Sequence, residues 1–156
     1  MKRLPAGRLL YSLGDLTVSV PLTVVSFFQL FFLTDVARIG PAAAGWSIAV
    51  TKLYDAVNDP VIGYLSDRLR TPWGRRRGPM LVASVPLGLS FALLWLVPPL
   101  GPAALAVYYT VVFCLFDTCF TLYHVSFNSL TPEIARDYDD RSSLNGLRMS
   151  FSIAGA

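Results

Sequence analysis

Reactive and metal-binding side chains are scarce here, with two cysteines and one histidine in 156 residues. That scarcity excludes a disulfide framework and a Cys/His zinc site. Cys114 and Cys119 share one apolar stretch and point in different directions if it is helical, so both read as small packing residues. Charge is scarce too: only 15% of residues carry it, and from Gly78 to Phe116 none does. No phosphate-binding loop, nucleophile elbow or metal motif appears, which leaves a membrane enzyme without support and implies no resident cofactor.

What is present is apolar. Hydrophobic residues make up 54% of the chain and the mean hydropathy is +0.53, values that point to a membrane protein. A spanning helix needs ~20 mostly apolar residues. Four such segments, at about 9–33, 43–66, 79–98 and 104–130, and an incomplete fifth at 143–156, predict an all-α fold in which residues 1–156 form a partial transmembrane bundle. Met1-Lys2-Arg3 resembles the start of a signal peptide. The apolar stretch behind it runs to about Leu33 and contains Asp15, so the first segment is expected to stay in the mature protein. The fifth segment lacks a terminating signal, and the chain reads as a fragment that needs further C-terminal helices.

Orientation follows from the basic residues. Lys2, Arg3, Arg8, Arg68, Arg70, Arg75, Arg76, Arg77, Arg136 and Arg141 fall on one side, and Arg38 falls on the other. The expected topology is multi-pass in the cell membrane with a cytoplasmic N-terminus. Trp46, Trp95, Tyr108 and Tyr109 read as interface anchors near the outer ends. The basic loop from Gly63 to Gly78 sits where orientation requires it and lacks a stacking platform, so no nucleic-acid partner is expected.

The second segment carries Lys52, Asp55 and Asp59. Facing lipid, the three would penalise insertion by roughly 8 to 10 kcal/mol, so they must face inward. Their i+3, i+4 and i+7 spacing puts all three on one face with Asn58 beside them. Pro60 then leaves the carbonyl near Ala56 without its helical donor, adding an oxygen. Two carboxylates one turn apart retain a proton, share a cation, or lean on Lys52 for partial neutralisation. The bland alternative is a buried structural network centred on Lys52. In the fourth segment Asp117, Thr121, His124 and Asn128 form a matching polar stripe, expected to face the same cavity, although a lone His124 is as often a packing residue. The first segment adds Asp15, Ser19 and Ser26 on roughly one face.

Gly63-x-x-x-Asp67-Arg68 followed by Gly74-Arg75-Arg76-Arg77 resembles the loop between helices 2 and 3 of the major facilitator superfamily, with the second cluster set further away. The remaining motifs are Thr34-Asp35-Val36, YDAVNDP at Tyr54 to Pro60, Trp73-Gly74-Arg75, Phe116-Asp117-Thr118 and SLTPE at Ser129 to Glu133. Asp137-Tyr138-Asp139-Asp140-Arg141, Leu144 and Arg148-Met149 complete the series. Together they resemble the glycoside–pentoside–hexuronide:cation symporter family, which includes the melibiose carriers. The resemblance implies the first four helices and the start of the fifth of an N-terminal six-helix bundle.

By the same resemblance, Asp55, Asn58, Asp59 and Thr121 match the family's cation site, for Na⁺ or H⁺, with no metal beyond Na⁺ at Asp55 and Asp59. Arg148 matches a basic residue near the substrate. Asp15, Ser19, Asp117, His124, Asn128 and Arg148 are expected to line the substrate side. Lys52, Asp67, Arg68, Arg75 and Arg76 are expected to form a charge and gating network. Melibiose carriers place acids where Ser19 and His124 stand, which argues against a galactoside. Cys114-Leu-Phe-Asp-Thr118 and His124-Val125 also resemble sodium-dependent lysophosphatidylcholine carriers. The expected function is cation-coupled symport of a sugar or glycoside by alternating access. The alternatives are a lysophospholipid carrier and a non-transporting membrane partner.

Overall fold

The computed structural model describes residues 6–68, 77–135 and 137–156, and within them every side chain except those of Ala6, Asp67, Glu133 and Tyr138. Its elements are α1 (Ala6–Leu13), α2 (Leu16–Phe31), a π-helical turn (Phe32–Val36), α3 (Pro41–Arg68), α4 (Arg77–Leu94), α5 (Pro102–Asn128), α6 (Thr131–Ile134) and α7 (Tyr138–Gly155). Every regular element among the described residues is helical, so the fold is all-α. Gly7–Val36, Arg77–Leu94 and Pro102–Asn128 are each long and apolar enough to cross a bilayer. At 28 residues α3 has the length as well, but Lys52, Asp55 and Asp59 interrupt its apolar run.

The chain packs as two compact units. Unit 1 holds the residues up to Ser26 and those from Asn128 onward, and unit 2 is Phe27–Phe127. Unit 2 is arranged for lipid rather than water. Leu53, Val57, Val61 and Tyr64 of α3, Val82, Val85 and Leu89 of α4, and Val107, Val111 and Leu115 of α5 are all exposed, at close to four-residue spacing. Its buried positions include Ser47, Thr51, Asn58, Ser90, Thr121 and Ser126. An apolar outside over a partly polar inside suits a bilayer, where lipid is as good a solvent for leucine as another leucine.

Tertiary packing inside unit 2 has two parts. Phe32 meets Trp95 edge-on at 5.0 Å and Tyr109 at 6.1 Å, and Phe91 meets Trp95 at 6.1 Å and Phe116 at 6.0 Å. Tyr109 is therefore no interface anchor: it is fully buried and donates its hydroxyl to the Leu96 carbonyl at 2.8 Å. The second part is a row of polar rungs between α3 and α5, which Ser47 opens by donating to the Ala106 carbonyl at 3.3 Å and Ser66–Ser126 closes at 3.5 Å. Both residue numbers rise together along the row, so these two helices run parallel.

In unit 1 the first segment is not one continuous helix. At Gly14–Asp15 the backbone tightens, with Gly14 N–H donating to Tyr11 O at 3.0 Å and Asp15 N–H to Ser12 O at 3.1 Å, before Ser19 N–H restores the i−4 pattern onto Asp15 O at 2.8 Å. Glycine has low helix propensity and aspartate competes for backbone donors, so the break falls where the two adjoin. The Gly14 carbonyl accepts from Thr17 twice, from its N–H at 3.1 Å and from its hydroxyl at 2.6 Å. Further along, α7 passes so close to α2 that a Cβ on Gly155 would lie 2.6 Å from Ser19 Oγ. Only glycine permits that approach.

Element ends also differ from hydropathy limits for local reasons. α4 stops at Leu94, where Trp95 and Leu96 N–H groups turn to i−3 carbonyls ahead of Pro98. α5 stops at Asn128, and the separate turn Thr131–Ile134 carries a proline near its start. α7 begins at Tyr138, not at 143. Extended Asp137 accepts from Arg141 N–H at 3.0 Å, and Asp139 and Asp140 occupy the first turn, where negative charge suits the helix dipole. Those charges lower the hydropathy of residues that are nevertheless helical.

Candidate functional site

Unit 2 gathers the acidic face of α3 against α5. The Thr121 hydroxyl donates to Asp59 Oδ1 at 2.9 Å, and Asn58 Nδ2 donates to Asp117 Oδ2 at 3.3 Å. One turn away, the hydroxyls of Tyr54 and Thr118 are 2.8 Å apart. Asn58 and Thr121 are buried, Asp55 and Asp117 half-buried, and Asp59 exposed. Asp117 also has Asp55 and Asp59 as negatively charged neighbours, with Asp55 within hydrogen-bonding reach. Lys52 reaches Asp55 at 3.6 Å, yet its own side chain is 73% exposed, so it screens weakly.

The α3 face therefore presents hard oxygen donors with an excess of negative charge. Carboxyl groups this close repel unless a proton or a cation lies among them. Among the described residues no group of three His, Cys, Asp or Glu side chains converges as a metal site. The set is thus an open row of oxygens rather than a closed cage. His124, two turns beyond Asp117, stacks on Phe120 with ring centroids 5.7 Å apart and is half-buried.

Unit 1 holds a second polar cluster, built around Arg148. Its Nε and Nη2 donate to the two oxygens of Asp15 at 2.6 and 2.9 Å, a bidentate fork whose side chains are 13% and 11% exposed. Nη2 also donates to Asn128 Oδ1 at 2.7 Å, and Nη1 donates to Thr131 Oγ1 at 2.8 Å. The Tyr11 ring lies 5.4 Å from the guanidinium carbon. Ser19, buried one turn past Asp15, turns its hydroxyl back onto the Asp15 carbonyl at 2.9 Å.

The structure thus puts Asp55, Asn58, Asp59, Thr121 and Asp117 together in unit 2, with His124 on the same α5. Asp15, Asn128 and Arg148 meet in unit 1 beside Ser19. Asp117 sits with the residues expected to hold the cation. Of the charge network, Arg68 is exposed and its guanidinium lies 4.2 Å over the Tyr64 ring. Arg75 and Arg76 lie outside the described residues, as does the side chain of Asp67. Sequence reasoning gave no site role to Tyr54, Thr118, Tyr11, Thr131, Arg8 or Asp140, and used Arg8 for orientation alone. The YDAVNDP and SLTPE motifs contain Tyr54 and Thr131, but hydroxyl groups carry no charge to single them out.

Comparison with known proteins adds the ancestry of this arrangement. Residues 10–156 match the family model described as MFS/sugar transport protein. An uncharacterized symporter of Synechocystis is 39% identical over 96% of this chain and 28% of its own length. The sodium-dependent lysophosphatidylcholine symporter 1-A of Danio rerio is 33% identical over 96% of this chain and 28% of its own. The inner membrane symporter YicJ of Escherichia coli is 28% identical over 93% of this chain and 32% of its own. The chain spans less than a third of the length of these curated relatives. It belongs to the MFS/sugar transport protein family, within the major facilitator superfamily.

Proposed function

We propose that this chain carries the cation site and part of the substrate site of a cation-coupled symporter that works by alternating access without covalent chemistry. Asp55 and Asp59, assisted by Asn58 and Thr121, hold Na⁺ or a proton, and Lys52 offsets part of their charge when the cation leaves. Asp117 completes the anionic row. The observation that carries this reading is the α3 face itself, where carboxylates on an intramembrane helix are met from α5 by a hydroxyl at 2.9 Å and by Asp117, with one exposed lysine against them among the described residues. Asp15, Ser19, His124, Asn128 and Arg148 serve the substrate, and the protein lies in the cell membrane with its N-terminus in the cytoplasm.

A sugar or glycoside is the proposed substrate, supported by the family and by the Asp137 to Arg141 motif. A lysophospholipid is the second reading, favoured by the relatives named as sodium-dependent lysophosphatidylcholine symporters. Proteoliposomes given a Na⁺ or a H⁺ gradient, with radiolabelled glycosides or lysophosphatidylcholine outside, separate these possibilities. Asp59→Cys is expected to abolish gradient-driven accumulation while membrane insertion persists. Coupling between two sites is worth about 1–3 kcal/mol, so a stimulation of 5–150-fold is at stake. Unchanged stimulation in Asp59→Cys would overturn the site.

A further inference from the structure

Among the described residues of unit 1, two ion pairs tie α7 to the first segment, one to Arg8 in α1 and one to Asp15 just past its end, and their polarities are opposed. Near the start of both helices the cation belongs to α1: Arg8 Nη2 lies 2.7 Å and Nη1 3.2 Å from the two oxygens of Asp140. Two turns on, the cation belongs to α7, where Arg148 forks onto Asp15 at 2.6 and 2.9 Å. Between the pairs, the Tyr11 hydroxyl lies 2.9 Å from Thr131 Oγ1, the same oxygen that accepts from Arg148 Nη1. Leu144, one turn from both Asp140 and Arg148, is 1% exposed. Residue numbers on the two helices rise together, so α1 and α7 run parallel.

Such a ladder admits one register. Sliding α7 by one turn would set Leu144 against Arg8 or Asp15 and strand a charge beside a buried leucine. Sliding it by two turns would set Arg148 on Arg8, or Asp140 on Asp15, so that like charges meet. Two pairs of the same polarity would tolerate the second slip; opposed pairs do not.

We infer that the Arg8–Asp140 pair, with the Tyr11–Thr131 contact, is a positioning element that fixes the register of α1 against α7 and so holds Arg148 on Asp15. Its consequence for transport rests on the proposal that Asp15 and Arg148 serve the substrate, but the register can be tested apart from transport. In native membranes, phenylglyoxal attacks arginines that are free of partners, and mass spectrometry reads the adduct at Arg148 alone. Arg8→Asp and Asp140→Arg, made singly, are expected to raise the modification rate of Arg148 about two- to fivefold, the scale set by a partly exposed ion pair. The double swap Arg8→Asp with Asp140→Arg is expected to return it to the parent rate. Arg8→Gln gives a smaller rise and serves where charge reversal prevents insertion.

Parent reactivity in the single variants overturns the inference, and so does a swap that stays as reactive as the singles. Uptake in the same membranes is scored separately. Transport indifferent to Arg148→Lys would remove the substrate reading and leave the register result intact.

Discussion

In unit 1 the described ladder sets two arginines, Arg8 and Arg148, against two aspartates, Asp140 and Asp15, each pair joined by a bidentate fork. In unit 2 the corresponding row sets Asp55, Asp59 and Asp117 against Lys52, the one basic side chain paired with it among the described residues. Both are built the same way, from two parallel helices joined rung by rung. Their charge balance differs, and that difference separates their tasks. A balanced ladder needs no cation from outside. A row with surplus carboxylate needs something positive from outside, and its stability therefore depends on what it binds. The geometry argues that a self-neutralised pair and a cation-binding row can be told apart by their charge balance, even where both lie on membrane helices.

The largest effect that would sharpen this contrast is expected in unit 1. Asp15→Ala leaves the largely buried guanidinium of Arg148 without its fork, and removing one partner of a buried pair is destabilising by about 3–5 kcal/mol. Replacing both, Asp15→Asn with Arg148→Gln, is expected to recover most of that loss because no uncompensated charge remains. Thermal unfolding of the solubilised protein measures both. Equal losses in the single and double variants would show that packing, not pairing, holds these helices.

Unit 2 is expected to respond with the opposite sign. Asp117→Asn removes one of three mutually repelling carboxylates while keeping an amide that can still accept from Asn58. Without added cation it is expected to stabilise the protein by on the order of 1 kcal/mol, the scale of a solvent-shielded like-charge contact. With cation present the gain should shrink, because the parent row then has its counter-charge. A loss of stability in Asp117→Asn under both conditions would break the comparison. It would make Asp117 a group held by its partners within the chain, as Asp15 is by Arg148.

Much of this is legible in the sequence. The apolar segments and their helical class follow from composition and length, because lipid leaves the backbone few alternatives. Spacing alone put Asp55, Asn58 and Asp59 on one face. What the sequence could not reveal is pairing across helices: that Asp117 meets Asn58, or that Asp15 is the partner of Arg148 more than a hundred residues away. Nor did hydropathy find the break at Gly14–Asp15 or the start of α7 at Tyr138. Both lie where hydrogen-bond geometry, not burial, decides the backbone. Asp15 and Arg148 were singled out because they are charges on apolar helices. Tyr11 and Thr131 escaped notice because a hydroxyl is ordinary there until its partner is known.

The finest test compares one chemical change in both places. Thr131→Val and Thr121→Val each exchange a hydroxyl for a methyl of similar volume. In unit 1 the change removes the oxygen shared by Arg148 Nη1 and the Tyr11 hydroxyl, while the bonds of Arg148 to Asp15 and Asn128 remain. In unit 2 it strands Asp59 Oδ1. A single hydrogen bond of this type is worth about 0.5–1.5 kcal/mol net, rising where a charge takes part. In Thr131→Val that loss should appear as lowered thermal stability, unchanged by Na⁺ or pH, since every partner belongs to the chain. In Thr121→Val the cation is expected to take over the freed carboxylate oxygen. Stability without cation should fall, the loss should narrow as cation is added, and the half-saturating concentration for stimulated uptake should move. Identical cation dependence in the two variants would show that surplus carboxylate does not mark the working site.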